Sequence, residues 1–511
     1  MSNSYAGKIL RLDLTHLGAE ALALPADREL RLYLGGSGLA LHFLKDYLLR
    51  TGLPLTPSNL PVIFMTGTLT GTPVPSSADF SLVSVDSSAG LRPAIGHSHG
   101  YWGPRLKFSG YDGLILVGQA PRPVFLEISP EGNCRFRDAK HLWGKGTRET
   151  ERLVLRELGG SSEEMSVLTI GPAGERGFPE ALVKNDQHYG VSRGSVGALL
   201  GQKNIKAISV RGSTRPETAQ PQMLQEVASL WSRRLFQDPG PGHPPKGRLL
   251  KDAGFLRREI HETLNDPGIP ISPQVEALIS AAPTWKVNPF SSFNCEIACS
   301  FQATITSGPL QGTVVRMGGG SKCLEGETER FGIVDPAAAL ALTDYCEEIG
   351  WQPSRAVEEI ADLLQKFQRG EVPGSDLGGS QPRMGDLSSA LELLDFLLAH
   401  PERFPTPPFP QPNDALSSEE EIPAPQIPLP LAASTGREFF FPRDLFVSWI
   451  DCCGVCQFAA EGVPEIEDLL ARALGAATGW EDFSVGEGLA VSQRIARLEE
   501  EVRRILKDRK G

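Results

Sequence analysis

Asp451-Cys452-Cys453-Gly454-Val455-Cys456, taken with Ser292-Phe-Asn-Cys295-Glu-Ile-Ala-Cys299 far upstream, decides how this chain must fold. The C-C-x2-C group and the C-x3-C pair use five of the eight cysteines. Thiolates at such spacings can close on one soft metal centre, zinc or an iron–sulfur cluster. If they do, the fold has to bring residue 456 back beside residue 295. Cys134, Cys323 and Cys346 stand alone and read as small buried hydrophobes.

The 511 residues exceed one ordinary core, so two or three domains are expected. Forty per cent hydrophobic and 22% charged is a globular mixture, and the net charge of −12 argues against nucleic acid or an anionic membrane as partner. No eighteen-residue apolar run occurs, and Met1-Ser-Asn-Ser-Tyr lacks a signal peptide's basic start. The expected location is the reducing cytoplasm, where clustered cysteines serve as metal ligands or redox thiols more often than as disulfides.

Residues 1–212 are rich in glycine and in β-type runs. Lys8-Ile-Leu-Arg-Leu-Asp-Leu14 alternates, and Pro61–Met65, Phe80–Val85 and Gly113–Val117 read as strands. Taken alone, the loop Gly67-Thr-Leu-Thr-Gly71-Thr-Pro73 reads as a tight turn ahead of a phosphate cradle. With the loops Gly171-Pro-Ala-Gly174-Glu175 and Ser192-Arg193-Gly194-Ser195-Val196-Gly197 it suggests a large cofactor covered by backbone. His97 and His99 read as hydrogen-bonding loop residues in preference to metal ligands. From residue 213 the pattern turns helical, with helices at 337–349, from Pro353, and at 387–400. Residues 401–434 hold ten prolines and read as a linker. The remaining segment, 435–511, ends in an amphipathic helix.

Gly7-Lys-Ile-Leu-Arg-Leu-Asp-Leu, Tyr33-Leu-Gly-Gly-Ser-Gly-Leu-Ala, Gly103-Pro-Arg-Leu-Lys-Phe-Ser-Gly-Tyr-Asp-Gly and Arg193-Gly-Ser-Val-Gly-Ala-Leu-Leu-Gly-Gln-Lys-Asn-Ile-Lys resemble, in order, the tungsten-containing aldehyde ferredoxin oxidoreductases. The chain is identified as a divergent, shortened member. The resemblance implies an α+β fold, with a β-rich N-terminal base domain (1–212) followed by mainly α-helical domains (213–400 and 435–511). It implies tungsten or molybdenum held by a bis-pyranopterin, a magnesium ion bridging the pterin phosphates, and a 4Fe-4S cluster. The cluster ligands carried over are Cys295, Cys299 and Cys456, with the fourth iron left to serine, an exogenous ligand, or Cys453 or Cys452 as a substitute. The pterin and magnesium contacts carried over are His97, Ser98, Gly190, Val191, Gly194, Glu347, Gly350, Asp451 and Gly454.

The departures are specific. Ser292 stands where the family's first cluster cysteine belongs. Asp79 aligns with the arginine that grips a pterin, and the glutamate beside the metal falls near Lys322. The segment that supplies the acid–base histidine has no counterpart, so no catalytic residue is assigned. Three readings follow. In one, the chain oxidises aldehydes to acids and passes electrons through the cluster to ferredoxin. In another it is a non-catalytic electron-transfer or scaffold subunit beside an iron–sulfur partner. In the third it is a metal-free binding protein. A homo-oligomer and a hetero-complex are both compatible with the sequence.

Overall fold

The computed structural model describes residues 3–86, 91–237, 285–317, 328–377, 381–403, 443–461 and 463–509. The region around Lys322 and Cys323, and most of the proline-rich linker, lie outside them. The α+β class and the β-rich base followed by helices are as expected.

Two six-stranded mixed sheets form the base. Strands β1 (Lys8–Asp13), β2 (Gly18–Ala23), β3 (Val62–Thr66), β4 (Phe80–Asp86), β5 (Arg92–Ser98) and β6 (Gly113–Val117) order as β2-β1-β6-β3-β4-β5. Strands β7 (Val124–Ile128), β8 (Cys134–Asp138), β9 (Ser166–Ile170), β10 (Val183–Asn185), β11 (Tyr189–Val191) and β12 (Ile205–Val210) order as β11-β10-β9-β12-β7-β8. Each sheet has one parallel pair, β1 with β6 and β12 with β7.

Period-two alternation explains the layering. Leu10, Leu12, Val62, Phe64, Leu82, Leu114 and Leu116 meet Leu126, Leu168, Ile170 and Ile208 of the second sheet in one core. Trp102 stands among them, its Nε1 donating to the Ile208 carbonyl at 3.0 Å. The intervening residues Ile9, Ile63, Met65, Val83 and Ile115 point the other way. They pack under the helices Gly36–Arg50, Pro221–Leu235, Arg443–Cys453, Ile466–Thr478 and Val485–Asp508. A sheet covered on both faces needs strands apolar at every position, which is why Gly113–Val117 is one continuous apolar run.

The helices Pro336–Glu348, Pro353–Gln368 and Leu387–Ala399 form a third cluster with Phe178 and Trp351. The region expected to be helical also contains an antiparallel sheet: β13 (Lys286–Phe290), β14 (Ser300–Thr304) and β15 (Val314–Met317). Phe301, Ala303, Ile305 and Val315 cover Leu340. Because Phe290 pairs with Ser300, the Ser292–Cys299 stretch is the loop of a hairpin. Among the described residues, no helix is long and apolar enough to cross a membrane.

Candidate metal centre

The loop between β3 and β4, residues 67–79, receives both cysteine segments. The helix Arg443–Cys453 stops at Gly454, whose φ of 77° is comfortable only for glycine and whose N–H donates to the Ile450 carbonyl. The turn that follows is bonded to the loop through backbone groups. Leu69 N–H donates to Cys453 O at 2.7 Å, Asp79 N–H to Gly454 O at 3.2 Å, and Cys456 N–H to Ser76 O at 3.1 Å. From the hairpin, Asn294 Nδ2 donates to Pro73 O and Val74 O, both at 2.8 Å, while Ser76 N–H donates to Asn294 O. Lys107 supports the loop from beneath. Its buried ammonium donates to the carbonyls of Gly67 and Thr68 at 2.7 and 3.0 Å, and burial, partly offset by Asp112, lowers its pKa to about 8.

These contacts bring Cys295, Cys299 and Cys456 to the wall of one small cavity, with Ser291, Ser292, His99 and Tyr189 around it and Ile297 and Phe458 as apolar wall. Burial pushes the Cys456 thiol well above its usual pKa, and Asp79, Cys299 and Cys295 add to the shift. Such thiols keep their protons until a metal cation replaces them. Among the described residues no three His, Cys, Asp or Glu side chains are grouped tightly enough to share a single ion. A polynuclear cluster asks less, since each iron takes its own thiolate. The donor set, three cysteines around a walled cavity, therefore fits an iron–sulfur cluster.

Cys453 and Cys452 are placed elsewhere. Both are fully buried in the core between sheet and helices, where Cys452 Sγ lies 3.6 Å from Ser37 Oγ and Cys453 lies within electrostatic reach of Tyr5. Neither lines the cavity.

The residues expected to hold pterins are largely bonded to one another. His97 Nε2 pairs with Asp451 Oδ2 at 3.1 Å and its Nδ1 with Ser81 Oγ at 3.2 Å. Ser98 Oγ donates to Asn185 Oδ1 at 2.7 Å. Glu347 is ion-paired with Lys184 at 2.9 Å, both side chains 5% exposed or less. Gly190 lies against the Lys184 side chain, Val191 against Gly96, Gly194 against Ala94, and Gly350 against Gly171. Asp79, where an arginine is expected, pairs with His99 Nδ1 at 2.5 Å. Burial works against the charged His99 ring, but Asp79 and Asp451 outweigh it and its pKa is raised. Lys184, His97 and His99 each already face a carboxylate, whereas Arg193, beside Asp451, has no ion pair among the described residues. The paired residues carried over as pterin contacts argue against a pair of phosphorylated pterins held as in the family.

The Lys184–Glu347 pair joins the base to the helix Pro336–Glu348. Lys184→Met leaves a buried carboxylate unpaired and is expected to cost about 3–5 kcal/mol, much of it restored by adding Glu347→Leu. Urea titration of the single and double variants checks this; a single variant as stable as the parent would show the pair to be incidental.

Sequence reasoning missed Lys184, Tyr189 and Phe458, whose partners lie in other segments. It noticed His99 only as half of a histidine pair.

Three comparisons complete the description. The family model for the N-terminal domain of aldehyde ferredoxin oxidoreductase matches residues 9–212. The tungsten-containing aldehyde ferredoxin oxidoreductase of Pyrococcus furiosus is 30% identical over 369 residues, covering 70% of this chain and 58% of that protein. Its Pyrococcus horikoshii counterpart is 31% identical, covering 73% and 60%. The WOR-like subunit of an aliphatic sulfonate oxidoreductase of Pyrococcus furiosus is 25% identical, covering 77% and 64%. This chain thus spans less than two thirds of the length of each of these relatives. Among solved structures, the BamBC active-site complex of benzoyl coenzyme A reductase contains a chain that superposes with a TM-score of 0.72 at 21% identity, covering all of this chain and 90% of that one. That likeness concerns the fold.

Proposed function

Since this chain belongs to the aldehyde ferredoxin oxidoreductase family, we propose that it serves as an iron–sulfur electron carrier within a redox complex. The observation that supports this reading is the convergence of Cys295, Cys299 and Cys456 on one cavity. A bound cluster would supply one-electron storage. The chain's part is to hold and shield it. Cys456 comes from a turn clamped to the loop 67–79, the other two thiols from a hairpin pinned there by Asn294, and Ile297 and Phe458 keep water from one side of the cavity. A ferredoxin or an iron–sulfur subunit is the electron partner in this reading.

Aldehyde oxidation, the activity in the relatives' names, is the second reading, favoured by the 30% identity over most of the chain. Against it stand the internal pairs His97–Asp451, Asp79–His99 and Lys184–Glu347. The test is elemental analysis of full-length protein purified anaerobically from cells supplied with tungstate and molybdate. The expected result is about four iron and four sulfide per chain, with neither tungsten nor molybdenum. Either heavy metal near one per chain would overturn the carrier reading in favour of the enzyme, and absence of all three would remove the redox reading.

A further inference from the structure

Three thiolates leave one iron of a four-iron cluster without a cysteine, and Ser292 is one candidate to meet it. The cavity offers another donor. His99 stands in its wall with Cys295, Cys299 and Cys456, and its ring is anchored from behind by Asp79, which holds Nδ1 at 2.5 Å. Among the described residues Nε2 takes no hydrogen bond. Histidines that bind metals generally give their other ring nitrogen to a carboxylate in this way, which fixes the tautomer and makes the free nitrogen a better donor.

The neighbouring histidine shows the contrast. His97 has both nitrogens engaged, by Ser81 and Asp451. It has no lone pair to offer. Cys452 and Cys453 lie in the core outside the cavity. Ser292 would have to give up a hydroxyl proton to bind as strongly as a thiolate, whereas imidazole donates as a neutral ligand.

We propose that His99 is the fourth ligand of the cluster, giving a three-cysteine, one-histidine set with Asp79 as the positioning residue behind the ring. This rests on the iron–sulfur reading above and deepens it. It also accounts for two departures together, since the aspartate in the place of an arginine is the group that orients the histidine. Replacing a thiolate by neutral imidazole raises a cluster's potential, as histidine ligation does in other iron–sulfur centres.

The test is pulsed electron paramagnetic resonance on the dithionite-reduced, cluster-loaded full-length protein, grown with ¹⁵N-histidine and compared with natural-abundance protein. The expected spectrum contains the strong hyperfine coupling of an iron-bound nitrogen, changing with the isotope. His99→Cys restores a fourth thiolate, so that variant should keep its iron, lose the coupling and titrate at a lower midpoint potential than the parent. Asp79→Asn should keep the coupling but alter its size. A loaded cluster without a bound-nitrogen signal, or a signal that persists in His99→Cys, overturns the proposal. So does loss of the fourth-ligand signature in Ser292→Ala with the histidine intact. Protein that carries no iron or sulfide overturns the carrier reading, and this proposal falls with it; iron and sulfide content separates that failure from the others.

Discussion

Cys456→Ser protein is expected to purify pale, with most of its iron and sulfide lost and its visible absorbance correspondingly reduced. Cys456 is the cavity-lining thiol that the C-terminal segment contributes, and its position is fixed on both sides. Its N–H is held by Ser76 and the preceding Gly454 is seated against Gly67 and Thr70. Removing an outer-shell partner of a metal site typically costs 10–100-fold in affinity, and removing a direct thiolate should exceed that. The exchange of sulfur for oxygen is small, so the apoprotein should melt at the temperature of parent apoprotein. Iron, sulfide and absorbance measured together check the expectation. A variant as brown as the parent would remove Cys456 from the ligand set.

Gly67→Ala is expected to destabilise the protein by about 3–5 kcal/mol, because overpacking and broken hydrogen bonds act together. A Cβ at residue 67 would lie 2.1 Å from Gly454 N, 2.3 Å from Cys453 C and 2.4 Å from Gly454 Cα. All three are backbone atoms, with no flexible side chain to yield. Separating the two backbones breaks the bonds from Thr68 N–H to Cys452 O and from Leu69 N–H to Cys453 O, and moves Cys456 off the cavity. Gly18→Ala is the control: nothing lies within 4 Å of its Cβ, so it should stay within about 0.5 kcal/mol. Denaturant midpoints, read with iron content, decide it. A Gly67→Ala protein that keeps both would mean that the loop and the turn are not pressed together as described.

Much of the base was legible because its signals are local. The strands around Lys8–Asp13, Val62–Thr66, Phe80–Asp86 and Gly113–Val117 carry their alternation or unbroken apolarity within a few residues, and the helices before Gly350 and after Asp386 announce their ends. The hairpin Lys286–Thr304 was not legible: Pro289 inside β13 argues against a strand, and the pairing that makes it one lies across the cysteine loop. At the site, cysteine spacing marked five thiols, since that pattern has few other uses; Cys295, Cys299 and Cys456 line one cavity, while Cys452 and Cys453 lie in the core. Charge pairs were invisible. Lys184 finds Glu347 163 positions away, and nothing near either residue marks the match.

The placement of the C-terminal turn has a consequence for how the molecule is made. Ser37 and Cys452 touch although 415 positions separate them, and Gly36 and Gly38 are closed over by Asp451 and Cys452. During synthesis the core between the two sheets can close as soon as β12 has emerged. The opposite face of the first sheet, with Ile63, Met65, Val83 and Ile115, is covered early by the helix Gly36–Arg50, but the far side of that helix has to wait for Arg443–Cys453 and Val485–Asp508, encoded at the far end of the message. A growing chain therefore carries an uncovered apolar helix face for most of its translation, the condition under which nascent proteins aggregate or engage chaperones. Ribosome-bound chains stopped before residue 443 should be held by such helpers, and chains extended past residue 509 should be released.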